Sequence, residues 1–207
     1  MSDLEQQSDR FSEEEATPAR KRPRPGERRL QILQTLASML EQPGAERVTT
    51  AGLAAKIGVS EAALYRHFAS KAQMFEGLID FVDQSVIGLI RQVTDREPAG
   101  PQQASRIVAL LLQFAEKNPG MSRVMIGDAL VLEHERLQER INLLFDKIEV
   151  QLRQSLKDST SATPTVDAQL SASLLVAFMQ GRLQRFARSG FRRLPSEHLQ
   201  AALARML

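Results

Sequence analysis

The chain has no cysteine, no tryptophan, a single tyrosine and only three histidines in 207 residues. Without cysteine there can be no disulfide, no thiol nucleophile and no Cys-based zinc site. His67, His134 and His198 fall into no HExxH or paired-ligand spacing. A GxSxG turn, a P-loop and a dinucleotide-binding glycine fingerprint are also missing. Glu133, His134 and Glu135 are adjacent, but neighbours on a helix point in different directions, so they read as a solvated helix start. No enzyme, cofactor or metal is therefore expected. There is no run of about 18 apolar residues to span a membrane. The N-terminal MSDLEQQSDRFSEEE lacks the apolar segment of a secretory signal. A cytoplasmic protein is the simple expectation.

Apolar residues make up 43% of the chain, enough for a folded core. The net charge of +2 hides a segregation. Residues 1–19 carry Asp3, Glu5, Asp9, Glu13, Glu14 and Glu15 against Arg10. Residues 20–29 carry Arg20, Lys21, Arg22, Arg24, Arg28 and Arg29 against Glu27. With few apolar residues, residues 1–26 are expected to be disordered in the free protein. The basic arm leads straight into the first helix, where Lys21, Arg22, Arg24 and Arg28 suit phosphate or minor-groove contacts. The alternative is a solubilising tail.

The stretch that organises the rest is 49–71, TTAGLAAKIGVSEAALYRHFASK. It reads as two helices of about two turns each around a tight turn. Thr49 or Thr50 caps the first, Leu53, Ala54 and Ile57 form its apolar face, and Gly58 ends it in a left-handed conformation. Val59 fills the turn. Ser60 caps the second helix, which turns Leu64 and Phe68 inward and leaves Ala62, Ala63, Tyr65, Arg66 and His67 on another face. Small side chains let a helix lie close to base edges, while Tyr65, Arg66, His67 and Lys71 reach the flanking phosphates. These are the parts of a helix-turn-helix.

The remainder reads as helix throughout, with no repeat and no strand period. Apolar spacing predicts a first helix near 27–41 on Leu30, Leu33, Leu36, Ala37 and Leu40, ended by Pro43 and Gly44. Ser70 caps a long helix to about Val93, with Met74, Phe75, Leu78, Phe81, Val82, Ser85, Val86 and Leu89 as its stripe. A helix near 102–117, apolar nearly all round, is expected to be central, and Asn118-Pro119-Gly120 stops it. A short segment follows, then helices near 133–157 and from Thr165, separated by a loop at 158–164. Pro195 and Ser196 open a last short helix. The total is about nine helices, all-α. Wide apolar stripes at 137–156 and 166–186, with small Ala172, Ala177 and Gly181, permit close helix packing, either against a partner or in closing the chain's own core.

Ending in LYRHFASK, the run from Thr49 to Lys71 resembles the DNA-binding domain of TetR-type bacterial regulators. That resemblance implies a helix-turn-helix domain at 27–72, preceded by the tail and arm of 1–26. A helical domain for dimerisation and partner binding follows at 73–207. It implies DNA binding by Lys21, Arg22, Arg24, Arg28, Thr49, Thr50, Ser60, Ala62, Ala63, Tyr65, Arg66, His67 and Lys71. Lys71 and the amides at the start of its helix would hold a phosphate.

From Leu30 to about Phe191 the chain is similar to the nucleoid occlusion factors within that family. The similarity runs through VTTAGLAAKIGVSEAALYRHFASKAQMFEGLIDF (48–81), ALLLQFAEKNPGMSRVMIGDALVLEHERLQERINLLFDKIEVQLRQ (109–154) and LLVAFMQGRLQRFARSGF (174–191). The chain departs from them in its acidic N-terminal segment and near 158–165. The resemblance implies a protein that binds double-stranded DNA at palindromic chromosomal sites and, so bound, engages the tubulin-like division protein FtsZ and antagonises division over the nucleoid. The implied partner surface is Phe81, Leu110, Lys117 and Asn118. Spacing alone reads Phe81 and Leu110 as core and Lys117-Asn118 as an ordinary helix end. The competing expectation is a ligand-responsive repressor, although the C-terminal region has neither tryptophan nor tyrosine to line a pocket.

Overall fold

A computed structural model describes residues 26–42, 48–131, 133–157 and 164–207, with side chains from residue 167 in the last span. The expected acidic tail, the arm residues Lys21, Arg22 and Arg24, and the breaks at Pro43-Gly44 and 158–163 lie outside the described residues. The described residues form nine α-helices and one 3-10 turn, with no strand among them. In order these are α1 (Glu27–Leu40), α2 (Thr50–Ile57), α3 (Glu61–Tyr65), α4 (Lys71–Thr94), α5 (Pro101–Lys117) and α6 (Pro119–Met125). After the 3-10 turn at Asp128–Leu130 come α7 (Glu135–Lys157), α8 (Pro164–Arg188) and α9 (Leu199–Met206).

One contiguous apolar core runs from Ile32 in α1 to Leu203 in α9. The 24-residue α4 is its axis. Met74, Leu78, Val82, Val86, Ile90 and Val93 recur three or four residues apart, with Phe75 beside them, so one face stays buried along the whole helix. It packs on α1 near its start and on α5 and α7 beyond. α5 is the central helix, touching α4, α6, α7 and α8, while α7 and α8 form the most extensive helix pair.

Several expectations need correction. Leu30 lies off the buried stripe of α1, 43% exposed. On α4, Phe81 is 38% exposed and so is not core. Leu110 is only partly buried against the core. α5 is not apolar all round, since Gln102, Arg106, Gln113 and Lys117 face solvent. α3 is a five-residue helix, shorter than two turns, and buried Phe68 lies beyond its end. The last helix starts at Leu199, after His198 in a left-handed conformation, later than Pro195-Ser196 had suggested.

Asn118-Pro119-Gly120 does end α5, but it also starts α6. Pro119 occupies the first turn, where its missing N–H is not needed. Gly120 is required by proximity: a Cβ there would collide with the backbone carbonyl of Ala37 in α1. Ser122 reinforces the corner by donating to the Ala115 carbonyl at 2.7 Å.

Candidate nucleic-acid interface

Three consecutive hydroxyl caps build the helix-turn-helix. Thr49 Oγ1 accepts from the Gly52 amide at 3.1 Å, Ser60 Oγ from Ala63 at 3.3 Å, and Ser70 Oγ from Gln73 at 3.2 Å. Each satisfies an amide that the first turn of a helix leaves without a partner. Gly58 closes α2 with φ +76°, its amide bonded back to Ala54 and Ala55. Thr50 donates from Oγ1 to Glu61 Oε2 at 2.6 Å and so ties the start of α2 to the start of α3. Thr49, Thr50 and Ser60 thus hold the motif together.

Leu64 and Phe68 are buried, and this anchors α3 with its other sides outward. Ala62, Tyr65, Arg66 and His67 are exposed, and Ala63 is half-buried. The short helix thus turns two small residues, and the Tyr-Arg-His run at and beyond its end, away from the core. Arg28 donates to Gln31 Oε1 at 2.7 Å.

Two features escaped the sequence reading. Arg29 donates to the His67 carbonyl at 2.9 Å, and its guanidinium lies over the Phe68 ring, 4.1 Å from the centroid. It clamps the turn after α3 onto α1. Glu133 pairs with Lys71 across 62 positions, and its side chain is only 12% exposed. This corrects the expectation of a solvated helix start for Glu133 alone, since His134 and Glu135 are exposed where α7 begins. Neither contact has a local pattern that spacing could reveal.

The second group of expected residues lies away from α3. α4 and α5 pack together and, joined by the short 95–100 connection, run antiparallel. The C-terminal half of α5 therefore returns beside the first half of α4, where Phe81 stands. Lys117 is exposed at the last turn of α5, and Asn118 Nδ2 donates to the Phe114 carbonyl at 2.7 Å.

Among known proteins, the family described as bacterial regulatory proteins, tetR family, matches residues 32–78. The SlmA-like family, described as tetracyclin repressor-like, C-terminal domain, matches residues 102–206. Nucleoid occlusion factor SlmA of Idiomarina loihiensis is 49% identical over 177 residues, covering 84% of this chain and 90% of that protein. The SlmA of Shewanella woodyi is 48% identical over 176 residues, covering 84% and 89%. Solved structures share the fold at low identity. The fatty acid degradation regulator FadR of Bacillus halodurans has a TM-score of 0.74 at 14% identity, covering 91% of this chain and 97% of its own. A transcriptional regulator from Rhodococcus sp. has 0.71 at 20%, covering 86% and 92%. These are regulators, in keeping with the sequence's lack of catalytic motifs. With about half of its residues identical over most of its length, the chain belongs to the SlmA nucleoid occlusion factors of the TetR family.

Proposed function

We propose that the protein, as a homodimer on palindromic chromosomal sites at the nucleoid, antagonises FtsZ ring assembly. The observation that carries the DNA half is the capped α2–α3 unit, with its apolar side buried and Ala62, Ala63, Tyr65, Arg66 and His67 outward. In this reading Ala62 and Ala63 admit the base edges, and Tyr65, Arg66, His67 and Lys71 hold flanking phosphates. Thr49, Thr50 and Ser60 keep the helix starts in register near the backbone. Arg28, with Lys21, Arg22 and Arg24 ahead of it, adds the sequence-independent attraction that makes binding salt-dependent.

The partner half uses Phe81 and Leu110 as the apolar floor and Lys117 and Asn118 as the polar edge. Phe81, 38% exposed, and the partly buried Leu110 support this reading, because they leave apolar surface open between α4 and α5. Lys117 suits an acidic segment and also favours the C-terminal dipole of α5. Asn118, its amide nitrogen committed to Phe114, has its oxygen to offer a partner.

The test pairs DNA affinity by fluorescence anisotropy with FtsZ assembly by light scattering, with and without the cognate duplex. FtsZ polymer should fall only when DNA is present. Lys117→Glu should keep DNA affinity and lose antagonism. It should cost only about 0.3–1 kcal/mol of stability, as expected for a charge at an exposed helix end. A variant that keeps both activities removes Lys117 from the surface. Tight DNA binding with no effect on FtsZ by the unaltered protein, at a single promoter-adjacent site, would favour a ligand-responsive repressor.

A further inference from the structure

α4 and α7 face each other through a row of ion pairs with one consistent polarity. Glu76, Asp80 and Asp83 on α4 meet Arg136, Arg140 and Lys147 on α7, with 2.6 Å in the first pair and 2.9 Å in the last. At the end next to α3 the polarity reverses: the cation is Lys71 of α4, and the anion is Glu133, just ahead of α7. Lys71 is the first residue of α4, where a positive charge opposes the helix dipole. Such a cation needs an anion, and in the free protein the carboxylate of Glu133 supplies it. The pair is mostly withdrawn from water, with side-chain exposures of 25% and 12%, so screening weakens it less than the outer rungs.

The segment that carries Glu133 is anchored in the core by Leu130, 4% exposed. It leaves α6 through Gly127, whose φ is +77° and which abuts Gln138, and passes Asp128, paired with Arg123 at 2.7 Å. It then runs through Val131, 76% exposed. Behind it, α6 leads back to Asn118.

We propose that Glu133 is an internal competitor for the DNA backbone: it occupies the Lys71 ammonium in the free protein and yields it to a phosphate, so that DNA binding frees the stretch around Glu133 from its tie to α4. This rests on the DNA-binding reading above. Glu133 is a positioning residue that acts through Lys71 and touches no DNA itself. Linkage is reciprocal, so whatever weakens the pair strengthens DNA binding, and DNA weakens the pair.

The experiment is a double-mutant cycle, read as affinity for a duplex that the protein selects from a randomised pool, with helix content checked by circular dichroism. Glu133→Gln should bind DNA roughly two- to fivefold more tightly than the unaltered chain, the range of a partly exposed ion pair. In a Lys71→Met background the same substitution should change nothing. An equal gain in both backgrounds would mean plain repulsion between Glu133 and DNA, and would overturn the proposal. So would no gain in the first. A variant-free measurement runs beside it: amide exchange in the stretch around Glu133 should accelerate when DNA is bound, and unchanged or slower exchange overturns the proposal. Failure of the unaltered protein to bind any selected duplex would remove the DNA reading itself, and the competitor with it.

Discussion

Gly120 is where one hydrogen in place of a methyl group decides how α6 sits on α1. Its Cβ would meet the Ala37 carbonyl, a backbone atom that cannot rotate away. Gly120→Ala should therefore destabilise the protein by roughly 1–3 kcal/mol through overpacking, measured by urea unfolding. Gly88, also helical but with nothing within 4 Å of its added Cβ, is the control. Gly88→Ala should stabilise by about 0.5–1 kcal/mol, since alanine loses less backbone freedom in a helix. Thr49 needs a similar pairing of variants, because its hydroxyl caps α2. Thr49→Ala should cost about 1 kcal/mol of stability, besides any loss of DNA affinity. Thr49→Ser keeps the cap and should restore the stability. Affinity that tracks stability through both variants would make Thr49 a cap alone.

Among elements, what could be read ahead was what acts within four residues. The caps at Thr49, Ser60 and Ser70 and the left-handed Gly58 depend on near neighbours, and the structure has each of them; of the expected α4 stripe, Met74, Phe75, Leu78, Val82 and Val86 are buried, while Ser85 and Leu89 are only partly covered. The candidate site residues at the end of α3 and just beyond it were legible for the same reason: Leu64 and Phe68 had to go inward, which sent Tyr65, Arg66 and His67 out. Long-range contacts were not legible. Glu133 meets Lys71 across 62 positions and Arg29 reaches His67 across 38. Helical spacing also misjudged Phe81 and Leu30, because a stripe predicts a face but not how wide the covering neighbour is. The outer α4–α7 pairs, more exposed than Lys71–Glu133, should contribute little one by one. Asp80→Asn should lower stability by less than about 1 kcal/mol, seen as a small, salt-sensitive shift in the unfolding midpoint. A larger loss would mean that the row acts as a network.

For the whole molecule, the question is what covers the outer side of α7 and α8. Leu143 and Val150 on α7 and Leu170 and Leu174 on α8 are large, apolar and exposed, the last two at 59% and 53%. On α8, Ala177 and Gly181 continue the line of Leu170 and Leu174 at helical spacing, both exposed. A stripe of leucine followed by small residues suits the close approach of another helix, and a second copy of the same pair would supply it about a two-fold axis. Gly181 isolates the idea. Its added Cβ meets nothing within 4 Å in the single chain, and it has no special backbone conformation. Gly181→Leu should therefore leave the protomer folded, and should favour α8 itself by up to about 1 kcal/mol in helix propensity. If two copies meet along this stripe, the same side chain prises them apart and weakens the dimer roughly tenfold or more, about 1.4 kcal/mol for each factor of ten. Sedimentation equilibrium would show the shift toward monomer. Affinity for a palindromic duplex should fall with it, because the two half-sites would no longer be engaged by one linked pair of recognition helices. A Gly181→Leu protein as dimeric as its parent would place the interface elsewhere and leave the exposed leucines to another partner.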